Sequence, residues 1–71
     1  MSATRLFYQE RAAAARNDAA STPLDNVRDR FLRAAAAWDV MASRLARTEH
    51  LRAETQSRKD AAREAEALVE V

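Results

Sequence analysis

LDNVRDRFLRAAAAWDVMASRL, residues 24–45, is the stretch whose spacing decides the fold. Leu24, Phe31, Trp38 and Leu45 recur every seven residues, and Val27, Ala34, Met41 and Thr48 each follow three residues later. Alternating steps of three and four place these side chains along one stripe of an α-helix, the a/d pattern by which helices pack on one another. Ala35 and Ala42 broaden the stripe to the width used in a bundle rather than in a strict two-stranded coil. Arg30, Arg33, Arg44 and Arg47, with Asp29, Asp39 and Ser43, take the other face. The stripe fades at Thr48, and the next member of the Leu24 series is Arg52.

Upstream, the chain has one clear break, Asn17-Asp18-Ala19-Ala20-Ser21-Thr22-Pro23. Thr22 has the hydroxyl of an N-cap, Pro23 suits the first helical position because its missing N–H costs nothing there, and Asp25 sits favourably at the positive helix end. These signals predict a first helix over about 4–19, a turn over 17–22 and a second helix from 23. In the first helix Leu6, Phe7 and Tyr8 crowd the start, and the packing face beyond them is alanine, from Ala12 to Ala15 and then Ala19 and Ala20. Such a helix is marginal alone and needs a partner.

Downstream, residues 49–60 are polar apart from Leu51 and Ala53, and a weak apolar stripe resumes with Ala61, Ala65 and Leu68 beside Ala62 and Val69. No glycine or proline separates these parts, so two outcomes stay open: the second helix continues unbroken to about 68, or it ends or frays near 55–57. A helix over 23–68 is about 69 Å long at 1.5 Å per residue. The first helix covers only about a third of that length. Charge is also uneven: residues 1–59 are net +4 and residues 60–71 net −3. In an antiparallel dimer of the second helix, the acidic end approaches the basic half of its partner.

Composition limits what this architecture can do. The 71 residues contain no cysteine, no glycine and one proline, and 18 of the 34 hydrophobic residues are alanine. Full burial of a Leu or Phe is worth roughly 1.5–3 kcal/mol and of an Ala far less, so the core is thin for a lone chain and self-association or a protein partner is expected. Without cysteine there is no disulfide, thiolate nucleophile or cysteine-ligated metal; without glycine there is no glycine-rich phosphate loop. No apolar run reaches the roughly 20 residues of a transmembrane segment, and no secretory signal is recognised, which makes a cytoplasmic location the expectation.

Trp38, between Phe31 and Leu45, reads as a packing anchor where helices meet rather than a ligand-stacking group. With the turn at Thr22 and equal rise in both helices, Phe7 falls near Trp38, Leu6 reaches toward Met41, Ala13 and Ala14 face Phe31, and Tyr8 is left exposed. His50, one turn from Glu54, reads as a solvated side chain, and Asp25 with Asp29 as a surface pair. No Ser or Thr has a histidine in position to activate it, and an alanine core encloses little volume for a substrate, so no enzyme activity, cofactor or metal is expected. Eleven arginines against one lysine raise nucleic-acid binding through Arg28, Arg30, Arg33 and Arg44. Asp29, Asp39, Glu49 and Glu54 interrupt that face, and a net charge of +1 steers weakly.

Residues 24–38, LDNVRDRFLRAAAAW, resemble a segment of short uncharacterised helical proteins of high-GC bacteria, similar in size and with a first helix containing tyrosine and arginine. The likeness covers roughly residues 7–50. It implies a natural small bacterial helical protein and carries no activity with it.

The sequence therefore predicts an all-α antiparallel helical hairpin with a long second helix, dimerising into a four-helix bundle or coiled-coil-like assembly. Phe7, Leu24, Val27, Phe31, Trp38, Met41 and Leu45 form the expected core or self-association seam. Arg44, Arg47 and Arg52 are the expected contacts to an unidentified intracellular protein, in an adaptor or regulatory role. Nucleic-acid association is the alternative.

Overall fold

The computed structural model describes residues 2–70, with side chains through Val69. It is an all-α hairpin of two antiparallel helices, α1 over Ala3–Ser21 and α2 over Asp25–Glu70. At 71 × 15 × 11 Å, the molecule is a rod whose length is that of α2.

Alternating steps of three and four fix which faces meet. On α1 the central line of covered positions is Arg5, Tyr8, Ala12, Ala15, Ala19 and, just past the helix, Thr22, with Ala14 half-buried at its flank. On α2 it is Arg28, Phe31, Ala35, Trp38, Ala42, Leu45 and Glu49, with Val27 and Ala46 half-buried at the flank. The five most deeply buried apolar residues are all alanines: Ala12, Ala15, Ala19, Ala35 and Ala42. With no side chain beyond Cβ at these positions the two backbones approach closely, and Phe31, Trp38 and Leu45 occupy the intervening turns of α2.

The Phe31–Trp38–Leu45 series lies in the contact as expected, but its companions are Arg28, Ala35, Ala42 and Glu49, not Val27, Ala34, Met41 and Thr48. α1 settles one residue, about 100°, further around α2. The physical reason is closeness of approach: an alanine-faced α1 gains more contact on Ala35 and Ala42 than on the bulkier Met41. Val27 is half-buried at the flank, whereas Met41 remains 40% exposed and Leu24, at the connection, 57% exposed. Neither belongs to the hairpin core.

Polar clips close the seam at both ends. At the open end the Ser2 hydroxyl accepts from the Arg5 backbone N–H at 3.1 Å, capping α1, and donates to Glu49 Oε1 at 2.5 Å. Arg5 reaches the other Glu49 oxygen at 3.4 Å. These bonds place the start of α1 beside Glu49 and thereby set the register. Ser2→Ala is expected to cost about 1 kcal/mol, measured as a shift in the denaturant midpoint; an unchanged midpoint would show that the clip does not hold the register.

The connection differs from its expected form. Asn17 and Asp18 do not interrupt α1, because Ala19 continues the buried stripe and the Ser21 hydroxyl donates back to the Asn17 carbonyl at 2.8 Å. Thr22 is extended (φ −99°, ψ 137°), as a residue before proline prefers to be, and this ends α1. Pro23 is not the first residue of the next helix. Leu24 precedes it, its carbonyl accepting from Arg28 N–H at 2.9 Å, while Thr22 Oγ1 accepts from Leu24 N–H at 3.3 Å. The threonine therefore forms a local turn rather than an N-cap. Arg28 bridges the whole connection, donating to the Thr22 carbonyl and the Asp25 carboxylate, both at 3.0 Å.

α2 continues through residues 55–57 without a break and reaches Glu70. Every described side chain from His50 to Val69 is exposed. These residues form an arm about 30 Å long at 1.5 Å per residue, beyond anything α1 covers. Its helix is supported by local pairs, His50 with Glu54 at 3.1 Å and Gln56 with Asp60 at 2.9 Å, and by high intrinsic propensity.

Candidate functional site

Two surfaces distinguish the molecule. The first is an aromatic flank where the start of α1 crosses α2. The Phe7 ring meets Trp38 edge-on at 5.8 Å (88° between planes), and Tyr8 lies against the same indole at 5.8 Å. Phe7 and Tyr8 are 6.1 Å apart, and the Arg11 guanidinium stands 5.9 Å from the Trp38 ring on a cation–π contact. The Phe7–Trp38 contact is the one the register arithmetic predicts. Tyr8 is the opposite of its expected placement: it lies in the seam, half-buried, and Phe7 is the more open ring at 50% exposure. Tyr8 continues the three–four spacing of Ala12, Ala15 and Ala19, a signal present in the sequence but masked by the local crowding of Leu6, Phe7 and Tyr8.

The second surface is the far side of α2 together with the arm. Positions two residues on from the hairpin seam lie about 200° around the helix, and there Val40, Arg44, Arg47 and Leu51 are exposed. Arg52 is exposed beside them, in a shallow concavity lined by Thr48, Leu51, Arg52, Thr55, Gln56 and Lys59. That lining has two cations and no carboxylate, histidine or thiol, so it offers contacts rather than acid–base groups. The expected partner-facing residues Arg44, Arg47 and Arg52 are thus all accessible, but they do not share one face: Arg52, seven residues past Leu45, continues the hairpin-seam side of α2, about 140° around the helix from Arg47.

The arginines considered for nucleic acid are divided. Arg28 is tied into the connection; Arg30, Arg33 and Arg44 are exposed. Arg16 pairs with Asp39 at 2.8 Å across the helices, and Arg5 with Glu49. Arg5 also carries the one buried side-chain nitrogen without a hydrogen-bond partner among the described residues, its Nε, because the seam that buries it offers only the Glu49 carboxylate. Among the described residues no group of three or more His, Asp or Glu side chains is arranged to hold a metal ion, and no helix is long and apolar enough to cross a membrane.

No family model matches the chain, and neither a curated protein nor a solved structure shows a significant similarity to it. The functional reading therefore rests on these surfaces alone.

Proposed function

We propose that this protein acts by binding protein, beginning with a second copy of itself, as a small homo-oligomeric adaptor or regulator without a catalytic role. The observation that carries this reading is the uncovered arm. A compact chain of 7.9 kDa exposes about 4,400 Å²; this one exposes 5745 Å². The excess, about 1,300 Å², compares with the roughly 600–1,000 Å² that each partner buries in a standard protein interface. Leu51, Leu68 and Val69 project from the arm, and Phe7, Leu24 and Met41 from the hairpin, so apolar side chains are available on both halves.

The setting proposed with this role is the cytoplasm, with Arg44, Arg47 and Arg52 as polar contacts: Arg44 and Arg47 toward the second copy, and Arg52, on the other face of α2, toward a further protein. The competing reading, nucleic-acid association, is disfavoured by the loss of Arg28 to the connection and by the acidic residues between the remaining arginines. Sedimentation equilibrium across a wide concentration range tests the proposal: a reversible dimer is expected, and a monomer at every concentration would overturn self-association. A duplex-DNA titration at low salt is expected to be flat. Binding that falls steeply with salt would transfer the function to the arginine face.

A further inference from the structure

We propose that the arm pairs antiparallel with the arm of a second copy, along the α2 face opposite α1, in a register centred on Gln56. This rests on the self-association proposed above and specifies its geometry. The far-side positions 40, 44, 47, 51, 54, 58, 61, 65 and 68 form one stripe of α2 that runs nearly the whole arm; all are exposed, and the stripe mixes the apolar Val40, Leu51, Ala61, Ala65 and Leu68 with the charged Arg44, Arg47, Glu54 and Arg58. α1 lies about 200° away around α2, so it obstructs no part of this face.

Centring the pairing on residue 56 sets Leu51 opposite Ala61 of the second copy, a large side chain against a small one. It sets Glu54 opposite Arg58, twice by symmetry. Arg47 comes level with Ala65, between Glu64 and Glu66, and Arg44 with Leu68. In charge terms, residues 44–52 are net +2 and the facing residues 60–68 net −2. A parallel pairing instead stacks Arg44, Arg47 and Arg58 each on its own copy and lays the acidic ends together, which like-charge repulsion disfavours. Charge complementarity and the uncovered area thus select a second copy as the occupant, and antiparallel as its direction.

The absence of native cysteine makes the register directly readable. In the proposed pairing residue 51 faces residue 61 of the other copy, whereas the two copies of residue 51 stand about 15 Å apart along the axis, beyond the roughly 4.4–6.8 Å Cα separation a disulfide allows. Leu51→Cys and Ala61→Cys are therefore expected to form little disulfide alone and to cross-link efficiently when mixed in equal amounts under mild oxidation. Both positions are exposed on the arm, so the hairpin core is untouched. Cross-linking of each variant alone, as readily as in the mixture, would overturn the antiparallel direction while leaving self-association standing. A dimer by sedimentation that cross-links in neither case would overturn the arm as the interface. A monomer by sedimentation would overturn the underlying reading itself. In a second measurement Glu54→Arg is expected to weaken the dimer about tenfold and Glu54→Arg/Arg58→Glu to restore it; failure of the double swap to restore would overturn the register.

Discussion

Replacing Trp38 with alanine is expected to lower the stability of the hairpin by about 2–4 kcal/mol, the largest effect of any single truncation in the molecule. Truncation of a completely buried Trp costs roughly 3–5 kcal/mol. Trp38 is half-buried, which lowers the figure, but it is the common partner of Phe7, Tyr8 and Arg11, which raises it again. Removing the indole withdraws the surface on which the start of α1 rests. The remaining seam is mostly alanine, whose burial contributes little per residue. A domain of this size has about 4–10 kcal/mol of stability in total, so the variant should melt at least roughly 10 °C lower, followed by far-ultraviolet circular dichroism. Phe7→Ala, which removes the more exposed ring, is expected to cost less than Trp38→Ala. Equal melts for Trp38→Ala and the unsubstituted chain would show that the aromatic flank does not hold the hairpin together.

The reach of the sequence can be judged from this same region. Phe31, Trp38 and Leu45 were legible as one stripe because a seven-residue recurrence of large apolar groups has few other causes. Their companions were legible only in part: Ala35 and Ala42 stood out as broadening the stripe, whereas Arg28 and Glu49 did not. Val27, Ala34 and Met41 are as regularly spaced as Arg28, Ala35 and Ala42, and hydrophobicity alone favours the former. What decides between them is the distance at which two backbones come to rest, and that depends on α1 being faced with alanine. The polar ends of the seam were hidden for a related reason. Ser2, Arg5 and Glu49 look like surface residues until the register brings them together, and the same register turns Arg28 from a free cation into the clip of the connection. Thr22-Pro23 correctly marked where one helix gives way to the next, but proline acted by holding Thr22 extended rather than by opening α2. The length of α2 was only half readable: the absence of glycine and proline after Pro23 permits a helix to about 68, but the polar run at 49–60 left an end near 55–57 equally open, and local pairs carry the helix through it.

If closeness of approach selects the seam, then enlarging one alanine should be as damaging as truncating an aromatic. Ala12 is completely buried on α1, whereas Ala13, its neighbour, is exposed on the same helix. Ala12→Leu inserts three carbons where the backbones meet and forces α1 off α2 or its own side chain off a preferred rotamer; a change of this kind costs about 1–3 kcal/mol. Here the cost should approach the upper figure, because a two-helix contact has no third layer into which strain can spread. Displacing α1 also pulls Ser2 and Arg5 away from Glu49, so the clip at the open end fails with the packing. Ala13→Leu makes the same change in composition and nearly the same change in helix propensity, and is expected to leave the melt within about 0.5 kcal/mol of the parent. The pair therefore separates packing from propensity. Were Ala12→Leu to stabilise the hairpin instead, the added side chain would have filled a gap, and the close alanine contact between α1 and α2 would not be what positions the helices.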